Sequence, residues 1–544
     1  MFPAVLCRSM ARVPKRQPSP GRRNEGGGAT LNSKRRAGEE LFAGAAGDAR
    51  RRRDGVMTGM PYNARIDVAG FATWGIMSSF DIASTGPITP APQPPDHQLN
   101  LFALVRAVRD DTIATFHRDA YDQAFLDRSF LWAHAYIVND PEAIKRVLLD
   151  NADNYVKTRL ARRLLEPGLG QGLLTSAGET WRRHRRIMAP SFDPRSVASY
   201  APLMTRHTEE MLAGWDALPD GAGLMLDQAM TALTLAIIAK TMFSSDAEDM
   251  GELVARSAER YQIEIRPTLF DLLRVPGWVP RLRSLKYAER IFSDFDREIE
   301  RMIARRRADT EARPDLLARL LSAHDEETGG GLSVKEIRDE MVTIFIAGHE
   351  TTSLALTWTF YLLSQNPEVE AKLHAELSDV VGNRTPHAED VPRLRYARMI
   401  IDETLRLYPP AHTLSREAIA PDELAGHPVP AGGAIYIVPW LVHRHRRLWE
   451  RPERFDPERF LPESAASRPR FAYLPFGGGP RICIGAAFAI TEAILILATI
   501  TQRYRLKLKP GHPVTPRGLI TLRPRHGMAM VLERRRSNRG AGRR

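Results

Sequence analysis

Ten residues constrain this chain more than any other stretch: Phe476-Gly477-Gly478-Gly479-Pro480-Arg481-Ile482-Cys483-Ile484-Gly485. Three consecutive glycines followed by a proline break any regular helix and let the backbone turn tightly. Directly after them, residues 486–503 are apolar at helical spacing, which places Cys483 at the mouth of a helix. Backbone N–H groups converging at a helix N-terminus lower a thiol's pKa, and Arg481 adds a positive charge nearby. An ionised sulfur, donors that moderate its basicity and glycines that admit a flat macrocycle are what a thiolate iron ligand requires. A lone cysteine is more often a small buried core residue, and without its context Cys483 would be read that way. The only other cysteine is Cys7, so no disulfide framework is possible and a reducing, cytoplasmic setting is expected.

Three further stretches carry chemistry, each weak alone. Ala347-Gly348-His349-Glu350-Thr351-Thr352 interrupts the apolar run from MVTIFI to SLALTWTF. An acid and two hydroxyls in the middle of a long apolar helix are costly unless partnered. Threonine can bond back to a carbonyl one turn earlier, and Gly348 is expected to thin the helix for a ligand. By itself this is a kinked core helix. Glu403 and Arg406 lie one turn apart, a common pair that stabilises a surface helix by only ~0.2–0.5 kcal/mol. Trp181 and Arg185 share a helix face within the basic run 181–186, which alone is a solvated face.

Taken together these stretches resemble the cytochrome P450 family. Residues 476–485 match its Phe-x-x-Gly-x-Arg-x-Cys-x-Gly signature, Glu403 and Arg406 its Glu-x-x-Arg, and Pro457-Glu458-Arg459-Phe460 its Pro-Glu-Arg-Phe. The resemblance spans about 99–533 and its elements stand in family order. It implies the family's mainly α fold with small β-sheets and a single large heme domain. It implies heme b (iron protoporphyrin IX) with Cys483 as iron ligand, and a cofactor site of Trp181, Arg185, Ala347, Gly348, Arg416, Phe476, Arg481 and Gly485. Thr351 and Glu350 would deliver protons towards dioxygen, and Glu403, Arg406 and Arg459 would form a structural triad behind the heme. The reaction implied inserts one oxygen atom of O2 into a small lipophilic substrate. Rival readings are a heme-thiolate enzyme that uses peroxide or isomerises its substrate, and a non-catalytic heme sensor or electron carrier.

Neither a dinucleotide fingerprint nor a second cysteine cluster appears, so electrons are expected from a separate ferredoxin- or flavodoxin-like partner. The net charge of +12 does not point to nucleic acid. Residues 1–54 hold 13 Lys/Arg against 5 Asp/Glu and residues 534–544 hold six Arg, which leaves 58 basic and 60 acidic residues between. Residues 1–76 read as a disordered, dispensable low-complexity segment with alternative starts at Met57, Met60 and Met77, and 534–544 as a disordered basic tail. A Pro-rich lead-in, 84–98, opens the heme domain, 77–533.

No stretch reads as a membrane span, since Thr491 and Glu492 interrupt the apolar run 486–502. A monomer is expected. Helices are predicted at about 101–118, 141–152, 178–188, 203–216, 225–243, 248–265, 283–308, 334–365, 367–381, 394–407 and 486–503, and strands at 134–138, 434–438 and 528–532. Substrate contacts are expected from 158–176, 258–282 and 411–414. Within the basic run, helical geometry predicts Arg183 and Arg186 exposed for partner docking and His184 nearer the heme.

Overall fold

The computed structural model describes residues 87–130, 133–244, 257, 260, 282–309, 315–323 and 330–535. The expected helix 248–265 and the segment 258–282, apart from residues 257, 260 and 282, and residues 1–76 lie outside them. Helices of seven residues or more are α1 (Leu101–Asp110), α2 (Arg159–Leu169), α3 (Gly178–Met188), α4 (Pro194–Asp216), α5 (Leu226–Phe243) and α6 (Leu282–Ala308). They continue as α7 (Leu316–Ser322), α8 (Val334–Gln365), α9 (Pro367–Val380), α10 (Arg395–Leu407) and α11 (Ala486–Arg503).

The axis of the fold is α8, 32 residues long. Its start is fixed by a capping box, in which the Ser333 hydroxyl accepts the Glu336 N–H and the Glu336 carboxylate accepts the Ser333 N–H. It stops at Asn366, before Pro367. Between these ends almost every residue from Ile337 to Leu363 is buried. Its hydroxyls are satisfied within the helix: Thr343, Thr357 and Thr359 each donate to the carbonyl four residues earlier at 2.7–2.8 Å. Trp358 is fully buried, stacks on Tyr408 at 4.0 Å and donates to the Leu522 carbonyl at 3.3 Å. Burial of each large apolar side chain along α8 is worth about 1.5–3 kcal/mol.

Two small sheets flank the helices. One has strand order β1–β2–β8–β5–β3, with β1 Phe125–Asp127, β2 Ala135–Val138, β3 Tyr155–Val156, β5 Leu414–Ala418 and β8 Ala434–Ile437. In it β2 and β8 run parallel, and Arg416 on β5 lies opposite Ile435 on β8. The other joins β4 (Gly223–Met225), β12 (Ala529–Arg534) and β9 (Tyr504–Leu508). Hairpins β6–β7 (Asp422–Leu424, His427–Val429) and β10–β11 (Pro516–Gly518, Leu522–Pro524) complete the β-structure of the described residues.

The mainly α expectation therefore holds, with corrections. The first helix ends at Asp110, and only 3-10 turns follow it. Helix α4 begins at Pro194, nine residues before the expected 203, because Asp193 caps it through the Ser196 N–H. Strand β12 runs through Arg534, and Arg535 pairs with Glu370, so these two residues belong to the fold and not to a tail. By length and apolarity α11 is the one described helix that could cross a membrane, and most of it is core.

Candidate active site

The cysteine loop is built by steric necessity. Gly477 and Gly479 take φ of +74° and +66°, the left-handed region that favours glycine. A Cβ on Gly479 would sit 1.6 Å from the Leu148 carbonyl oxygen. The loop closes with the Cys483 N–H donating to the Phe476 carbonyl at 2.9 Å, just before α11. Cys483 is exposed, yet so much protein surrounds it that burial pushes its thiol pKa up. Its sulfur is thus accessible amid crowded protein surroundings. The expected lowering is corrected: only the Gly485 N–H and the Arg185 charge oppose the desolvation. Arg481 takes no part in this, because it donates to the Ser176 carbonyl at 2.8 Å and lies over the Trp181 ring at 4.4 Å.

Around this loop cations gather without carboxylates. Arg185 stands 5.8 Å from the Trp181 ring centroid on α3. Arg416 is 6% exposed on β5, and burial lowers its pKa to about 10. Arg481 is brought to about 10 by burial and by the neighbouring Arg416, Arg185 and Arg182. Lys157, which sequence reasoning missed, falls to about 7 through burial, then Arg416 and Arg481. No ion pair joins any of the four to a carboxylate among the described residues. Cations crowded so far from water call for an anionic partner.

On α8, Ala347 is exposed and Thr351 half-buried, one turn apart on one face, with His349, Glu350 and Thr352 buried beside them. The Thr351 hydroxyl donates to the Ala347 carbonyl at 2.8 Å. Gly348 serves differently from the expectation: a Cβ there would come within 2.8 Å of Ile238 Cδ1, so it admits the neighbouring helix α5, not a ligand. Glu350 is buried and accepts from Thr521 at 2.7 Å and from Arg523 of β11. Its carboxylate therefore points to the hairpin side and not along the Ala347–Thr351 face.

The three residues expected behind the site do come together. Arg406 clasps Glu403 at 2.7 and 2.8 Å, both fully buried, and Arg459 lies 3.4 Å from the same carboxylate. Arg406 also donates to the carbonyls of His443, Pro452 and Arg454, so one guanidinium pins the meander that precedes the cysteine loop.

Two partners in the basic run differ from the helical-wheel expectation. Arg183 is half-buried and pairs with Glu336 at 3.0 Å, while His184 is fully buried against Glu340 and Glu336. The wheel took the face opposite Trp181 for solvent, but α8 covers it. Arg186 is exposed as expected, and so is Arg182.

The cytochrome P450 family model matches residues 92–529. The chain belongs to the cytochrome P450 family. Among its relatives are cyclooctatin synthase of Streptomyces melanosporofaciens, 38% identical over 71% of this chain and 84% of that protein. The cyclooctat-9-en-7-ol 5-monooxygenase of the same organism is 36% identical over 70% of this chain and 82% of its own length. Among solved structures, the heme domain of cytochrome P450DA superposes with a TM-score of 0.70 at 26% identity, covering 82% of this chain and 98% of that one. This cytochrome P450 is accordingly an oxidoreductase that incorporates molecular oxygen, with a heme-thiolate iron cofactor. The residues present fit that group. An accessible cysteine in crowded surroundings suits the iron, and four cations with no carboxylate pair among the described residues suit a macrocycle's acidic side chains.

Proposed function

We propose that this cytochrome P450 inserts one oxygen atom of O2 into a small lipophilic substrate at a heme b ligated by Cys483. The observation that carries the reading is the pairing of the carboxylate-free cation cluster with the accessible Cys483. Arg185, Arg416, Arg481 and Lys157 would hold the propionates, with Trp181 as the ring on which Arg185 and Arg481 rest. Phe476 and Gly485 would fix the ligand loop through the Cys483 N–H and the Gly485 N–H. Gly348 sets the place of the segment by close helix packing, and Ala347 is the small side chain on the open face.

When bound, the heme supplies the activation of dioxygen, with two electrons and two protons consumed and one water released per turnover. Thr351 would hold and pass protons on the open face. Glu350 would bring them from the side of Arg523, a residue half-open to solvent. The Glu403–Arg406–Arg459 cluster would keep the ligand loop in register. A lipophilic substrate accords with the relative named for cyclooctat-9-en-7-ol, an unsaturated ring alcohol. Electrons would come from a separate ferredoxin- or flavodoxin-like partner, and the protein would work as a cytoplasmic monomer.

The test is turnover of candidate apolar substrates under three conditions: O2 with a reductant and carrier, peroxide alone, and neither. Substrates would come from a screen of fatty acids, terpenoids and steroids by substrate-induced spectral shift. Product only with O2 and electrons supports the reading, and equal product from peroxide alone rejects the separate-partner mechanism.

A further inference from the structure

Outside the cofactor site, α3 meets α8 through ionisable groups, with His184 and Glu340 fully buried at the centre and Glu336 and Arg183 half-buried beside them. The His184 side chain is fully buried, with Nδ1 2.6 Å from Glu340 Oε1 and Nε2 3.3 Å from Glu336 Oε1. Carboxylate oxygens only accept, and a neutral imidazole has a single N–H. With both acids ionised and His184 neutral, one of these contacts would set lone pair against lone pair. The cluster therefore holds one further proton, on the imidazole or on Glu340. Burial alone would lower the His184 pKa, but the hydrogen bond and charge of Glu340, then those of Glu336, outweigh it and raise it. The charged groups around the pair are few. Asp339 adjoins Glu340, Arg183 pairs with Glu336 at 3.0 Å, and Lys335 and Arg338 pair with Asp339 at 2.8 and 3.0 Å.

These acids also hold a strap. Glu340 Oε2 accepts the Leu173 N–H at 3.1 Å and Asp339 the Gln171 N–H at 2.8 Å. The strap lies so close to α8 that a Cβ on Gly172 would come within 2.2 Å of Thr343 Oγ1. At its far end the Ser176 carbonyl takes Arg481, whose guanidinium covers Trp181. His184 itself stands between Trp181 and Arg185 on α3. One buried proton thus sits where the strap, α3 and α8 are joined.

We propose that the proton held between His184 and Glu340 is a latch that positions the heme cradle. While the proton is bound, α3 and residues 170–176 are fastened to α8; when it leaves, both loosen and the heme is held less tightly. His184 and Glu340 are positioning residues in this scheme, acting through Trp181, Arg185 and Arg481, and the inference rests on the cradle reading given above. The sign follows from linkage. A raised folded pKa means the contribution is complete below the ordinary histidine value of 6.5 and fades as pH rises through the higher folded value.

The experiment uses the full heme-loaded protein in its ferric state. Heme transfer to excess apomyoglobin is followed from mildly acidic to alkaline pH, together with hydrogen exchange of peptides covering 168–177. Lys157→Arg serves as the background, because Lys157 titrates in the same range and arginine keeps the cation without titrating there. Both readouts should accelerate several-fold through one inflection above pH 6.5. Glu340→Gln keeps the shape and the acceptor for Leu173 but removes the charge, so the inflection should move to lower pH. His184→Gln should erase it and leave exchange fast throughout. An inflection absent from the background protein, or unmoved by Glu340→Gln, overturns the latch, and neither measurement requires His184→Gln to load heme. Exchange that shifts with Glu340→Gln while heme transfer stays flat overturns the latch's action on the heme and leaves the cradle reading itself standing.

Discussion

Arg185, and not the sequence neighbour Arg481, is the cation that acts on the Cys483 sulfur. Arg481 is turned away by its bond to the Ser176 carbonyl. The two arginines should therefore differ in spectroscopic effect. Cys483→Ala should abolish the red-shifted Soret band of the ferrous carbonyl complex. Arg185→Gln should keep that band but lower the ferric–ferrous potential, since removing a positive charge favours the ferric state. For a one-electron couple, roughly 59 mV corresponds to tenfold. Arg481→Gln should move the potential less and loosen residues 170–176 more, as potentiometry and hydrogen exchange would read.

Two glycines fail for different reasons. Gly348→Ala drives a methyl to 2.8 Å from Ile238 Cδ1, the end of a flexible side chain, and should cost about 1–3 kcal/mol. Adding Ile238→Val should restore much of it. Gly479→Ala meets a backbone oxygen at 1.6 Å and a φ of +66°, so no single side-chain change should rescue it. Denaturant midpoints and heme content of the four proteins decide the matter.

What the sequence disclosed follows from range. The cysteine loop was legible because glycine, proline and cysteine act on their own few residues. Helix α8 was legible from its long apolar run. Partners far away in sequence were not. Glu350 finds Thr521 and Arg523 across more than 170 residues, so its expected place beside Thr351 was set by adjacency alone. Arg183 and Glu336 are 153 residues apart, and no helical wheel of α3 contains α8. Helix α2 escaped notice because Pro167 and Gly168 lie in its last turn, and with it went Lys157, a lone cation just before the Thr158 cap.

The proton path should show two separable parts. Thr351→Ala should bind heme and substrate but divert electrons to peroxide or water. Arg523→Gln should remove the cation beside Glu350 and slow turnover without comparable diversion. General acid–base help of this kind is worth about 10²–10⁴-fold. Product formed per electron, measured beside the solvent isotope effect, separates them. Equal coupling in Thr351→Ala and the wild type would remove Thr351 from the path.

Acid should destabilise the fold through neutral buried histidines. Burial lowers His412 to about 4 and His443 to about 3. His412 donates to the Leu519 carbonyl, while His443 Nε2 accepts the Leu474 N–H, a bond that a protonated ring cannot make. Because the unfolded chain takes up these protons near pH 6.5, stability should fall as pH drops below that value, by a few kcal/mol for each group. His412→Asn should flatten this limb in urea titrations taken stepwise with pH.

The exposed arginines of α3 should set the rate of electron delivery. Arg182 and Arg186 keep 49% and 43% of their side chains open and make surface pairs with Asp153 and Glu179. Such pairs are worth little and are readily exchanged for an incoming carboxylate. Arg183 is excluded from this role, because its guanidinium serves Glu336 on α8. Exposed charges at an interface rim govern encounter and salt dependence more than final affinity. Arg182→Glu with Arg186→Glu should therefore slow reduction by an acidic ferredoxin- or flavodoxin-like carrier about tenfold or more at low salt. The deficit should close as salt shortens the Debye length below about 10 Å. Heme content and substrate-induced spectral shifts should change little in Arg186→Glu alone, whereas Arg182→Glu removes a charge that acts on Arg481, so its rate is read per loaded heme. Arg183→Glu should behave differently, disturbing Glu336 and with it the His184 cluster, so its loss should persist at high salt. Stopped-flow reduction across ionic strength distinguishes the two patterns, and rates equal to wild type at every salt for the Arg182/Arg186 variant would place the docking surface elsewhere.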